Sequence, residues 1–422
     1  MRQYPAGAVE RAMKVQEVFM QAMAKKITWF QAAEIMGITD RTMRRWKRRH
    51  EQYGFVLDRR YGRPSERKVP AGFIEQVLGL YRDQYFDFSV RHFHEKLRAE
   101  HDIHLSYTWV KKALQASGLI AKTRNRRVHR KKRPRRPLPG MLLHIDGSHH
   151  QWFQDNRWYD LIVILDDATN EVYYAQLVED ESTLTVMAAL RDVVERHGLF
   201  CALYSDRARH FFFTPRSQGP VDHRQLTQVG RAMKELGIQM IPAYSPQARG
   251  RGERNFRTWQ GRLPQELRTR QITTIDAANA FLRNVYLKQF NGQFTRPAAQ
   301  TGTAFASAGS LDLDRIFSIQ HERTVNNDNT VRLANMLLQI RPTLWRSTLA
   351  GCRVLVLQQL DGTFRILYGP HVVGHYAPDG KPIVHHPKRN SGSKRQKESA
   401  RSWAGADSFS NKVTSAARSS PG

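Results

Sequence analysis

Between Pro139 and about residue 272, short apolar runs alternate with amphipathic stretches in an order that few folds can accommodate. Apolar runs at 141–145, 158–165 and 171–178 are joined by the turn-forming segments Gln154-Asp-Asn-Arg157 and Asp166-Asp-Ala-Thr-Asn170, which predicts a three-strand meander. A helix is expected at 182–197, then a strand at 200–205, a loop rich in Phe, Gly and Pro, a helix at 223–236, a strand at 238–244 and a last helix opened by Glu253.

Three acids occupy the ends of these expected elements. Asp146 closes the apolar run 141–145, Asp206 closes Phe200-Cys201-Ala202-Leu203-Tyr204, and Glu253 begins its helix. If the two strands are neighbours and the helix packs across them, the three carboxylates converge, and their mutual repulsion favours a shared divalent cation. Such a site suits two-metal phosphoryl transfer, with two Mg²⁺ ions for which Mn²⁺ can substitute. The β-β-β-α-β-α-β-α order is that of a ribonuclease-H-like core, in which the first and fourth strands lie side by side; Asp146 and Asp206 are 60 positions apart, compatible with contact. Other groups nearby are read structurally. Asp166 and Asp167 suit a tight turn, metal contact being the minor alternative. His149 and His150 are expected to touch DNA or pack on Trp152, and of Phe211, Phe212 and Phe213 at least two are expected in the core rather than acting as a wedge between bases.

Charge indicates what such a site acts on. Lys and Arg number 67 against 38 acids, a formal net charge of +29, so polyanions are the natural partners. No apolar run is long enough to span a bilayer, and a membrane partner is not expected. The two cysteines, Cys201 and Cys352, lie far apart inside apolar runs and are expected to be reduced core thiols, leaving no disulfide framework and no cysteine-based zinc site.

The segment before the core is expected to be all-helical. In the first module, 8–60, a short helix from Ile27 stops at Gly37, and a second begins after Thr39, with Met43 and Trp46 facing inward. Arg41, Arg44, Arg45, Lys47, Arg48 and Arg49 crowd the rest of that helix, the layout of a helix-turn-helix whose second helix enters a major groove. A second helical DNA-binding module, 68–120, has expected helices at 71–84, 89–100 and 107–117, the last capped by Ser106 and closed by Gly118. The linker 121–138 is almost continuously basic, with Arg126, Arg127, Arg130, Lys131, Lys132 and Arg133; Pro134, Pro137 and Pro139 keep it extended, and its cations can clamp phosphates. Within the core, Arg207, Arg249, Arg251 and Arg254 stand next to the acids and can neutralise phosphates flanking the reacting one.

Beyond the core (139–272), a helical connector is expected over 273–325, with its helix from Thr274 to Phe290. Strands at 330–333, 336–340, 353–358 and 363–368, with Asp361-Gly362 as a hairpin turn, predict a small β-barrel over 326–384, suited to DNA contact or subunit bridging. The tail 385–422 is rich in Ser, Lys, Arg and Gly and is expected to be disordered. The fold class is therefore multidomain: N-terminal all-α helix-turn-helix modules, a central α/β ribonuclease-H-like core and a small C-terminal β-barrel.

Ile145-Asp146-Gly147-Ser148, Tyr204-Ser205-Asp206-Arg207 and the segment from Tyr244-Ser245-Pro246 to Glu253-Arg254 resemble the motifs of DDE transposases of bacterial insertion sequences with a retroviral-integrase-type catalytic core, most of all the ISNCY-type group. The resemblance runs from the N-terminal helix-turn-helix to about residue 378, with Gln154 standing where an acid is expected. It implies that Asp146, Asp206 and Glu253 are the catalytic and metal-binding triad. It further implies that the substrates are double-stranded element ends and target DNA, that the protein is a homo-oligomer on DNA, and that it works in the bacterial cytoplasm at the nucleoid. A transposase that cuts and joins DNA accounts for all segments together. A DNA-binding regulator without catalysis leaves the acids without a role, and a ribonuclease-H-like nuclease without strand transfer has less need of the helical modules.

Overall fold

The computed structural model describes residues 6–54, 69–122, 134–216, 219–244, 252–343 and 345–383. Arg126, Arg127, Arg130, Lys131, Lys132, Arg133, Arg249, Arg251 and the tail from 385 lie outside the described residues.

The N-terminal helices follow from local capping. α1 (Ala6–Met23) precedes α2 (Trp29–Ile35), where Thr28 and Gln31 form a reciprocal capping box. Gly37 adopts φ 61°, and α3 (Asp40–Tyr53) starts from the Thr39 cap. Phe19, Ala22, Ala32, Ala33 and Met43 make a small core under these three helices. The second helical module contains α4 (Ala71–Asp83), α5 (Val90–Glu100) and α6 (Tyr107–Ala116), with Ser89 and Ser106 accepting N3 amides as caps and Gly118 at φ 75° ending α6. Val77, Tyr81, Phe93, Leu97, Val110 and Leu114 form its own core.

The central strands are β1 (Leu143–His150), β2 (Tyr159–Asp166), β3 (Val172–Val178), β4 (Ala202–Ser205) and β5 (Gln239–Pro242), in a five-stranded sheet of order β3-β2-β1-β4-β5. β1, β2 and β3 are antiparallel, and β4 runs parallel to β1, as expected for the meander and crossover. β2 lies between two strands, and its residues from Leu161 to Asp166 are all buried. α7 (Thr183–His197), α8 (Gln228–Glu235) and α9 (Gly252–Gln260) complete the expected order, α8 beginning later than expected. Pro264 begins a new helix, α10 (Leu263–Thr269), rather than kinking α9.

The helix expected over 274–290 is longer and interrupted. α11 (Ile275–Phe281) passes through a π-helical turn (Leu282–Tyr286) into α12 (Leu287–Phe294), so Asn291-Gly292 is helical rather than a connector. The reason lies on β3. Asn291 accepts from Val172 N–H at 2.9 Å and donates to its carbonyl at 2.8 Å, and Asn279 does the same with Leu177 at 2.8 Å each way. These contacts hold the helical stretch along the outer strand.

The chain divides into two compact units. One takes in Met1–Glu181, Leu203–Asp206 and Ala243–Ala304, and the other Ser182–Ala202, Arg207–Pro242 and the chain from Phe305. In the first, Trp152, Leu161, Val163, Leu177, Trp259, Leu263, Leu282 and Phe290 build a core between the antiparallel strands and α9–α12. The end of the basic linker is anchored there: Arg135 donates to the Asp167 and Ala168 carbonyls at 3.1 Å, and Arg136 N–H to the Asp167 carboxylate at 2.8 Å.

In the second unit, α13 (Leu313–Ile316) precedes β6 (Ile319–Thr324), β7 (Thr330–Leu333), β8 (Met336–Gln339), β9 (Arg353–Gln358), β10 (Phe364–Tyr368) and β11 (His371–Tyr376). The expected barrel does not close. The strands form a four-stranded sheet, β11-β10-β9-β6, and a separate β7-β8 hairpin, with β11 and β6 left at opposite edges. Both sheets share one core of Val331, Leu338, Val354, Val356, Ile366 and Tyr376, so a sandwich-like contact takes the place of closure. The Asp361-Gly362 turn is as read, with Gly362 at φ 85°.

Candidate active site and DNA-binding surfaces

β1 places Asp146. The expectation that it closes a strand is corrected: β1 continues to His150 as the partner of β2, so Asp146 sits mid-strand, opposite Val163. Its termination is visible only toward β4, whose ladder pairs Leu143 with Leu203 and His144 with Tyr204. That register has the same 60-residue offset that separates Asp146 from Asp206, and Asp206 comes directly after β4, two positions beyond the last ladder pair. Both are half-buried.

Glu253 belongs to the exposed first turn of α9, where a carboxylate is favoured by the helix dipole. Gly252, buried beside it, lies so close to β1 that a Cβ there would be 2.9 Å from Asp146 Oδ2. Farther along, Gln260 Nε2 donates to Ser148 Oγ at 3.0 Å, and Trp259 is fully buried, stacked on Phe290 at 4.3 Å. Alternation along β1 puts Asp146 and Ser148 on one face, the face that α9 crosses. Among the described residues, no group of three or more His, Cys, Asp or Glu side chains is arranged to hold a metal ion as the side chains stand. The close approach of Gly252 brings the start of α9 to Asp146.

The neighbouring groups sort as the residue chemistry suggests. Asp166 is fully buried and accepts from Gly140 N–H, Thr169 N–H and Thr169 Oγ1; Asp167, equally buried, pairs with His144 Nε2 at 2.8 Å. Both shape the turn. His150 packs edge-on against Trp152 at 5.0 Å, and His149 stacks on Trp158 at 5.1 Å while bonding Asp160 at 2.9 Å. Burial lowers the His150 pKa. Phe211 and Phe212 are buried and Phe213 is exposed, so the core reading of this triplet holds. Gln154 is exposed. Arg207 Nη1 donates to the Gly219 carbonyl at 2.7 Å, and Arg254 is exposed beside Glu253. Neither cysteine is in a disulfide, but Cys201 is exposed rather than a core thiol: its carbonyl accepts from Gln239 N–H at 3.0 Å ahead of β4 while its side chain stays at the surface.

On α3, Met43 is buried and Trp46 half-buried, while Arg41, Arg44, Arg45 and Arg48 are exposed. Arg44 pairs with Asp40, and Lys47 lies 3.9 Å from Glu51 and over the Trp29 ring at 5.0 Å.

Residues 16–65 match the family model described as a helix-turn-helix domain. Over 317 residues the chain is 32% identical to y4bF, a transposase by name, of Sinorhizobium fredii (strain NBRC 101917 / NGR234), covering 74% of this chain and 67% of that one. The chain belongs to the transposases of insertion sequences. This transposase is also 26% identical over 310 residues to the transposase for insertion sequence IS1202 of Streptococcus pneumoniae, covering 65% of each chain, so it spans about two thirds of the length of both relatives. Among solved structures, a chain of the simian T-cell lymphotropic virus intasome in complex with PP2A regulatory subunit B56 gamma is 15% identical, with TM-score 0.31 over 69% of this chain and 99% of that one. The HTLV-2 integrase catalytic core domain in complex with magnesium is 16% identical, with TM-score 0.27 over 35% of this chain and 90% of that one.

The transposase contains one polar cluster that sequence reasoning did not find. Glu266 of α10, 3% exposed, accepts from His92 Nε2 at 2.7 Å and from Lys96 Nζ at 2.9 Å, both on α5, and from Arg270. Burial works to raise the Glu266 pKa, but the hydrogen bonds from His92 and Lys96 and the lysine charge overcome it and hold the carboxyl at about 2. Burial lowers the His92 pKa, with the Glu266 carboxylate working against it. Lys96 also reaches Glu100 at 2.7 Å, and Glu100 accepts from Tyr85 at 2.9 Å. No spacing rule could have announced this cluster, because His92 and Glu266 are 174 positions apart. Among the described residues, no helix is long and apolar enough to cross a membrane.

Proposed function

We propose that the chain binds the terminal inverted repeats of an insertion sequence and, with Asp146, Asp206 and Glu253 as metal ligands, cleaves DNA and joins the ends to a target. The observation that supports this most is the β1–β4 register, whose offset, carried two residues further, would set Asp146 opposite Asp206, together with the close approach of Gly252 to Asp146 that brings the start of α9 to the same strand. Three carboxylates supply the hard oxygen donors that Mg²⁺ prefers while it keeps several of its waters, so the donor types suit Mg²⁺, in our reading two ions, or Mn²⁺ in their place. When bound, the ions would supply activation of a water or a 3′-hydroxyl and stabilisation of the departing oxygen.

The chain's own groups do the rest. Asp146 is held in the β1–β2 ladder and Asp206 directly follows β4, whereas Glu253 rides on a helix end. Arg254, exposed next to Glu253, is placed to meet a phosphate flanking the reacting one, and Arg207, Arg249 and Arg251 are further candidates for the same task. α3 is the proposed major-groove reader through Arg41, Arg44, Arg45, Lys47 and Arg48, while Arg126, Arg127, Arg130, Lys131, Lys132 and Arg133 are proposed to touch phosphates. Two element ends must be brought together, so the working form is a homo-oligomer on DNA.

The test is incubation with labelled element ends and Mg²⁺. Asp146→Asn, Asp206→Asn and Glu253→Gln are each expected to abolish cleavage and joining while DNA retardation persists; near-normal joining by any one removes that residue from the site. Nicks without joined products would select a nuclease, and retarded but intact DNA a binding protein.

A further inference from the structure

α9 carries Glu253 at its exposed start, beside the buried Gly252, and is also held at its far end. There Trp259 is locked in the core, and Arg257 and Trp259 carbonyls accept from Gly261 and Arg262 N–H at 3.1 and 3.0 Å, carrying the chain directly into α10. α10 in turn is fastened to the second helical module at three points. Arg262 donates to Glu95 at 2.7 Å; Glu266 takes His92 and Lys96; Arg268 grips Asp87 at 2.6 and 3.0 Å and the Gln84 carbonyl at 2.7 Å.

Burying ions is an inefficient route to stability, because desolvation offsets most of the attraction; what buried ion pairs do well is select one geometry. A helix pair held by apolar contact alone can slide, whereas a carboxylate shared between an imidazole and an ammonium tolerates little displacement. We propose that Glu266 is a positioning residue, with Glu95–Arg262 as its outer support: by fixing α10 on α5 it sets where α9 presents the Glu253 carboxylate. This rests on the reading of Glu253 as a metal ligand. The second helical module then acts as the bracket of the catalytic helix as well as a DNA-binding element.

The experiment uses the full chain. Glu266→Gln keeps the shape and removes the charge. Single-turnover joining at saturating DNA is expected to fall by about 10- to 100-fold, as for a misplacement on the ångström scale. The half-saturating DNA concentration is expected to stay within about twofold, because binding groups are untouched. Without metal, amide hydrogen exchange is expected to rise across α9 and α10 but not across β1–β3. Should this variant fail to fold, Glu95→Arg and Arg262→Glu provide the second arm: each alone is expected to lose rate, and the double exchange to recover it. Wild-type rates and unchanged α9 exchange in Glu266→Gln or Glu95→Arg would overturn the inference, as would exchange that rises equally in β1–β3, or a double exchange no better than the singles. Glu253→Gln run alongside separates the two claims: if it still joins DNA, the metal-ligand reading has failed, and if it is inactive while Glu266→Gln is not, the positioning role alone has failed.

Discussion

Two glycines near Asp146 are expected to answer substitution in opposite ways. A Cβ on Gly147 would meet Glu181 Oε2 at 2.1 Å, the far end of a long side chain that can swing aside. A Cβ on Gly252 would stand 2.9 Å from Asp146 Oδ2, on a side chain too short to move without displacing its carboxylate. Gly147→Ala is therefore expected to keep most joining activity, whereas Gly252→Ala is expected to lose about tenfold or more through misplacement of Asp146, the proposed metal ligand. Thermal melts of both variants should match wild type, so that the difference reports geometry. Equal activity of the two would show that Asp146 has more freedom than its surroundings suggest.

At the scale of elements, α3 shows how internal pairing divides a set of similar cations. Arg44 is engaged by Asp40, while Arg45 stands exposed on the same helix. Arg45→Ala is expected to cost about 1–3 kcal/mol of discrimination between element ends and random duplex, the value of one base-edge contact, and Arg44→Ala less. Competition binding with both duplexes measures this, and the reverse ranking would reassign the reading face. The same elements show what could be read in advance. Caps such as Thr39 and Ser106 and stops such as Gly37 and Gly118 act within a few residues, so a local pattern reveals them, whereas the reading of a helix from Ile27 missed the Thr28 cap that starts α2 at Trp29. The acids of the site were legible as residue types beside apolar runs, but the run 141–145 concealed that β1 continues through Asp146, because Gly147, Ser148 and His149 carry no apolar signal and are held in the strand by β2. Closure of the C-terminal strands, the length of α12 and the Glu266 cluster depend on partners distant in sequence, and no local pattern encodes them.

For the whole molecule, a net charge of +29 makes long-range attraction to DNA a property of the chain rather than of any one segment. The share carried by the basic linker can be measured. Changing Arg130, Lys131, Lys132 and Arg133 to Gln is expected to weaken binding to all sequences alike and to flatten the log–log salt dependence by about 0.9 for each phosphate left without its cation. An unchanged slope in a salt titration would make that stretch a solvated connector.

Crowding along a duplex would be hazardous for a protein with an open sheet, since an unpaired strand can template its neighbour's. β3 ends the sheet at one side, and there the side-chain amides of Asn279 and Asn291 answer the outward N–H and carbonyl of Leu177 and Val172. Each asparagine imitates a single residue of a missing strand and then leads back into helix, so the imitation cannot propagate. At Val172 and Leu177 that border of the sheet has no free N–H or carbonyl left to pair with a strand from another copy.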